Sequence, residues 1–209
     1  MTITQALAAF CIAAALLTIL PGLDTALVLR TAAAEGTRNA ALAGLGIVLG
    51  CVTWGAAVAL GLGALLAASE LAFTVLKWAG ALYLVWLGAN LILKPRSRFA
   101  VDTEEVPAPR SHSWLGRGYL TNLLNPKVGV FYVSFLPQFL PAHVSAGPFI
   151  FLLAVIHALM GVVWFGLLII ATRPIARMLK QPSVVRRLDR LTGVVFVSFG
   201  LKLALARQH

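Results

Sequence analysis

The stretch ILPGLDTALVLR, residues 19–30, places a Pro-Gly pair and an ionisable Asp24 inside the first hydrophobic run of the chain. Pro21 removes a backbone donor and Gly22 loosens a helix, while a carboxylate in hydrocarbon is costly. A segment like this is either a loop or a helix broken on purpose. The choice depends on what surrounds it.

The surroundings are those of a membrane chain. Of 209 residues, 60% are hydrophobic and 11% charged, against about 25% charged in soluble domains. The mean hydropathy is +0.90. Six apolar runs stand out, at 4–29, 40–66, 71–93, 116–140, 146–171 and 188–206. Most exceed the ~20 residues needed to cross a ~30 Å hydrocarbon layer. The last is the shortest, and Lys202 near its end is expected to snorkel outward. A secretory signal would have a positive leader and a short apolar core. Residues 1–17 hold no Lys or Arg and the run continues past them, so a retained helix is expected.

The net charge of +10 is not spread evenly. Most Lys and Arg fall in three clusters: Arg30 and Arg38; Lys94, Arg96, Arg98, Arg110 and Arg117; and Arg173, Arg177, Lys180, Arg186, Arg187 and Arg190. These follow the first, third and fifth runs. The connections after the second and fourth hold only Glu70 and His143 among ionisable residues. Alternation of this kind follows the positive-inside rule and predicts three cytoplasmic connections with both termini in the periplasm. The same residues can touch anionic membrane lipids. No nucleic-acid partner is needed to explain them. Cys11 and Cys51 lie in apolar runs, at a spacing that fits neither a disulfide framework nor a metal site, and read as small core residues.

Residues 94–113, KPRSRFAVDTEEVPAPRSHS, are polar and proline-bearing and read as a cytoplasmic linker. They divide a single transmembrane domain, 1–209, into a first repeat of about 1–93 and a second of about 114–209. Three crossings per half set the halves in opposite orientation, so related halves would form an inverted repeat. LLTILPGLDTALVLR and YLTNLLNPKVGVFYVSF both place a proline, Pro21 and Pro126, shortly after a Leu-Thr. LKWAGALYLVWLGANL and LDRLTGVVFVSFGLKL correspond more loosely through their glycines. The predicted fold class is therefore an all-α integral membrane protein of six helices in two inverted three-helix repeats.

Broken helices survive at membrane depth only where protein or a watery cavity surrounds them. Transporters use them at the midplane, a half-helix N-terminus facing an anion and unwound carbonyls facing a cation. A zwitterionic amino acid offers both charges. Pro21 leaves the Leu17 carbonyl without its donor, and Pro126 does the same to Asn122 while turning Asn125 away from helical geometry. Asp24 and Lys127 follow the two prolines with opposite charges. They either meet across the repeat interface or sit separately in a water-filled vestibule. The candidate substrate-binding set is thus Pro21, Gly22, Asp24, Thr25, Asn122, Asn125, Pro126 and Lys127, although Thr25 reads better as interhelical glue. His157, alone in mid-run, is either a proton relay alongside Asp24 or a satisfied core histidine. Gly46, Gly50, Thr53, Ala57 and Gly61 share one helical face. The GxxxG pattern there permits close packing, within the chain by preference and otherwise in a homodimer. Trp78, Tyr83 and Trp86 read as core or interface anchors.

At these motifs the chain resembles the LysE/RhtB family of bacterial amino-acid exporters, over essentially its whole length. LLNPKVGVFYVSFLPQF, residues 123–139, is similar to the family's Asn-Pro-Lys segment and its Pro-Gln-Phe ending. LPGLDTALVL resembles its Pro-Gly-Pro element, with Leu23 in place of the second proline, and GALYLVWLG, residues 80–88, resembles its third-span pattern. The resemblance implies a multi-pass inner-membrane carrier that exports amino acids or close derivatives, driven by the proton gradient. It assigns motif roles to Pro21, Gly22, Asn125, Pro126 and Lys127. The rival readings are a passive channel, whose hydrophobic gate needs no motif, and an intramembrane enzyme. The sequence has neither HExxH nor GxSxG, so no catalytic residue, metal or cofactor is expected.

The charge pattern makes a direct prediction. Reporters fused near residues 102 and 181 should read cytoplasmic, and those near 69 and 143 periplasmic. A common side for 102 and 143 would contradict six crossings.

Overall fold

The computed structural model describes residues 2–20, 22–68, 70–95, 113–141, 143–172 and 181–205. Pro21, nearly all of the linker, and Arg173, Arg177 and Lys180 lie outside the described residues, as do the side chains of Pro126 and Lys202. Every regular element among the described residues is helical: α1 (Ile3–Ile19), α2 (Leu23–Ala34), α3 (Thr37–Ala68), α4 (Glu70–Leu93), α5 (Trp114–Leu123), α6 (Pro126–Val130), a π-helical turn (Phe131–Phe135), a 3₁₀ turn (Leu136–Phe139), α7 (Ala146–Ile170) and α8 (Pro182–Leu205).

Local chemistry accounts for the boundaries. Thr2 and Gln5 form a reciprocal capping box at the start of α1. Helix α2 passes into α3 through Gly36, whose φ of 85° is the left-handed C′ geometry that glycine adopts freely. Ser113 caps α5 through the Gly116 amide. After α6 the chain widens to a π turn and then tightens to 3₁₀ ahead of a non-helical Leu140. Pro137 has no N–H to give, and the Gln138 amide donates to the Ser134 carbonyl instead (2.9 Å).

The first and fourth runs of the sequence are therefore each interrupted, and the last helix begins at Pro182, earlier than its apolar run. Segments Thr37–Gly61 of α3 and Ala146–Ile170 of α7 are long and apolar enough to cross a membrane alone. Helices α1 and α2, bent by 50°, make a third candidate if they form one span. The apolar part of α4 is shorter, and α8 opens with Arg186, Arg187, Asp189 and Arg190.

Packing is dominated by three pairs: α4 with α8, α3 with α7, and α3 with α5. Glycines bring the backbones together. Gly46 of α3 lies directly against the Leu115 carbonyl of α5, and Thr53 bonds the Tyr119 hydroxyl (3.3 Å). The GxxxG face thus packs within the chain at Gly46, Gly50 and Thr53, while Ala57 and Gly61 are exposed. On the other side, Gly88 of α4 rests on the backbone of Gly193 and Val197, and Gly200 of α8 rests on that of Ala81 and Val85. Gly88 and Gly200, Ala81 and Gly193, and Val85 and Val197 are each separated by the same number of residues. The seam is reciprocal.

Aromatic rings fill the centre. Phe10 meets Phe139 edge-on with centroids 5.4 Å apart, and Phe131, Phe135 and Phe139 stack in sequence along the irregular segment. Outward, Leu82, Trp86 and Val163 are more than 60% exposed, which in water would be an aggregation liability but suits hydrocarbon. Trp78 and Trp86 are therefore surface residues and Tyr83 is half-buried.

Gly46→Ala places a Cβ on the Leu115 carbonyl, where neither backbone can give way. Overpacking of this kind costs about 1–3 kcal/mol or more. We expect a clear fall in melting temperature in detergent, with Gly61→Ala, which meets nothing within 4 Å, unchanged.

Candidate functional site

Both interruptions occur where a proline follows a helix end. Leu20 leaves α1 in extended geometry, and Gly22, also extended, precedes α2. In the second half Leu124 closes α5 and Asn125 is extended (φ −77°, ψ 108°). Its Oδ1 accepts the Lys127 amide at 3.1 Å, so Asn125 caps α6 with Pro126 at the first helical position. The Asn122 carbonyl, which Pro126 cannot serve, accepts the Asn125 amide at 3.1 Å.

The two breaks face each other, and each half holds the other's charge. Asp24 stands in the first turn of α2, where the helix dipole favours an anion. Its carboxylate accepts hydrogen bonds from Asn122 Nδ2 (2.8 Å) and Asn125 Nδ2 (3.3 Å). Lys127 sends its ammonium the other way, donating to the carbonyls of Leu17 (3.2 Å) and Leu20 (3.3 Å) at the end of α1. Leu17 is the carbonyl that Pro21 leaves without a donor. Hydrogen bonds to charged groups contribute about 1.5–3 kcal/mol each, so the breaks are braced rather than loose.

Between them is a cavity of about 50 Å³, lined among others by Gly22, Asp24, Thr25, Asn125, Lys127 and His157. This is room for a few waters. Six of the sequence-derived candidates thus share one wall. Asn122 stands behind it, fully buried, and reaches the cavity through Asp24. Its access depends on Gly50, since a Cβ there would stand 2.5 Å from Asn122 Oδ1.

His157 enters from α7. Its Nδ1 shares a hydrogen bond with the Tyr132 hydroxyl (2.9 Å), and its ring lies 5.1 Å from that of Phe131. The histidine is thus satisfied in the core and also borders the cavity. Three participants escape a reading of the sequence. Cys51 lies on the cavity with Sγ 3.5 Å from Asn122 Nδ2, but nothing distinguishes it from a packing thiol. Tyr132 is placed by the π turn, which breaks the 3.6-residue periodicity that would have located it. The Leu20 carbonyl has no side-chain signature at all, and that of Leu17 shows in the sequence only as an orphan.

Comparison with known proteins places these motifs in context. The model of the LysE type translocators matches residues 15–207. A homoserine/homoserine lactone efflux protein of Salmonella typhi is 33% identical over 95% of this chain and 96% of its own length. A leucine efflux protein of Klebsiella pneumoniae is 28% identical over 93% and 92%. A membrane protein of Bacillus subtilis, YrhP, is 31% identical over 92% and 95%. No solved structure matches.

The cross-braced charges can be tested by a double-mutant cycle. Removing one partner strands a charge in a low-dielectric bundle, at about 3–5 kcal/mol. Asp24→Asn and Lys127→Gln should each lower the amount of folded protein in the membrane. The double mutant should recover abundance, with a coupling of about 1 kcal/mol or more in unfolding measurements. Additive losses would mean that the two charges are held independently.

Proposed function

The chain belongs to the LysE type translocator family, and on that premise we propose that it is a six-span carrier of the bacterial inner membrane that exports amino acids or close derivatives in exchange for protons. The observation that carries this reading is the convergence of both broken helices on one cavity, with a carboxylate and an ammonium on its wall. A zwitterion presents one group to each. Its ammonium suits Asp24 and the carbonyls at the end of α1, and its carboxylate suits Lys127 and the amides that open α2, whose cap Gly22 offers no side chain. Of the titratable groups on the cavity, Asp24 and His157 are the ones assigned the exchanged proton. The efflux named for the Salmonella and Klebsiella relatives agrees in substrate class.

Six crossings as two inverted repeats complete the reading, with both termini periplasmic. Three observations support it. The breaks fall at corresponding places in the two halves, α3 packs on α7 and α4 on α8, and the glycine seam of the latter pair is reciprocal. Halves related in this way can rock about a shared site and open it to either side in turn.

Pro126→Ala restores a backbone donor at the second break. It should reach the membrane at near-normal abundance and lose at least tenfold in efflux from vesicles loaded with a panel of amino acids. Undiminished efflux would reduce Pro126 to a packing kink. Wild-type vesicles should also concentrate substrate against its gradient when a proton gradient is imposed, whereas simple equilibration would indicate a channel.

A further inference from the structure

The end of α1 has the makings of a cation site. Leu17 has lost its helical donor to Pro21, and Leu20 is the extended residue that closes the helix. Both carbonyls stand at the negative end of the α1 dipole, and the carboxylate of Asp24 lines the same cavity. Carbonyls at an interrupted membrane helix are the groups that in other carriers coordinate a coupling sodium ion. Here both are taken by Lys127 Nζ, at 3.2 and 3.3 Å.

The origin of that ammonium matters. Lys127 is the second residue of α6. Its side chain reaches away from the helix that bears it, to the carbonyls of the opposite half. Gly22 keeps the way open, since a Cβ there would stand 3.4 Å from Nζ.

We propose that the break in the first span is a monovalent-cation site whose resident is the Lys127 ammonium, a tethered ion in the place a coupling sodium would take. The chain therefore has no use for sodium. Removing the side chain vacates a pocket sized for a small alkylammonium. The consequence for coupling rests on the transporter reading, but occupancy is measured on the purified protein and stands or falls apart from it.

The test is thermal stability in detergent, with chloride salts of sodium, potassium, choline and methylammonium at equal ionic strength. The wild type should melt at one temperature in all four. Lys127→Ala should melt lower by roughly 5 °C or more, and methylammonium should restore much of the loss saturably, while choline, too large for the site, should not. Lys127→Arg, which keeps a tethered cation, should remain indifferent to all four salts. A saturable rise of the wild-type melting temperature with sodium overturns the proposal. So does a Lys127→Ala protein that methylammonium does not stabilise, or one recovered from membranes in no greater amount when methylammonium is present throughout.

Discussion

A carbonyl deprived of its donor inside a membrane must find another or be lost to the fold, and at Leu17 the other is the Lys127 ammonium, 3.2 Å away and more than a hundred residues along the chain. The rest of the site follows from this one bond. To reach Leu17, Lys127 has to start from a helix end aimed at α1, which Asn125 and Pro126 provide. A cation so placed calls for an anion nearby, which Asp24 supplies, and Asp24 in turn needs donors, which are Asn122 and Asn125. Each awkward residue resolves the difficulty that another creates. None of them would be tolerated in hydrocarbon alone.

The same constraint explains why close helix packing and polar chemistry occur together. Asn122 can stand behind Asp24 only because α5 approaches α3 at glycines, and Gly50 leaves room for its amide. Van der Waals contact between backbones is the principal force available where lipid is as apolar as leucine. The small residues thus serve two ends. They hold α3 against α5, and they bring a hydrogen-bonding amide to a carboxylate that would otherwise lack that donor.

Much of this was legible in the sequence. Apolar runs and the alternation of basic connections indicated a helical membrane chain, and awkwardness in such runs put forward Gly22, Asp24, Asn125 and Lys127, which the fold gathers around one cavity. What escaped did so for physical reasons. Backbone carbonyls have no letter, so the seat of the Lys127 ammonium could be inferred only as an orphan at Leu17, not as a partner. Tyr132 was hidden because it lies inside a π turn, where the 3.6-residue spacing does not hold. Cys51 looks the same on a packing face as on a cavity wall. The outward positions of Trp78 and Trp86 were undecided because aromatic residues suit both the core and the membrane boundary.

The reciprocal seam between α4 and α8 has a further consequence, for register. Gly193 O lies 2.6 Å from where a Cβ on residue 88 would be, and Ala81 O lies 2.9 Å from the corresponding point on residue 200. The residues one turn from these glycines on the same helix faces are Leu84, Ile92, Phe196 and Ala204. If one helix slid past the other by a turn, a side chain would be driven into a carbonyl at both ends of the seam. Intermediate positions are closed as well, because backbone against backbone has no rotamer to change. The joint is keyed at two points, and the two helices are thereby denied the freedom to slip.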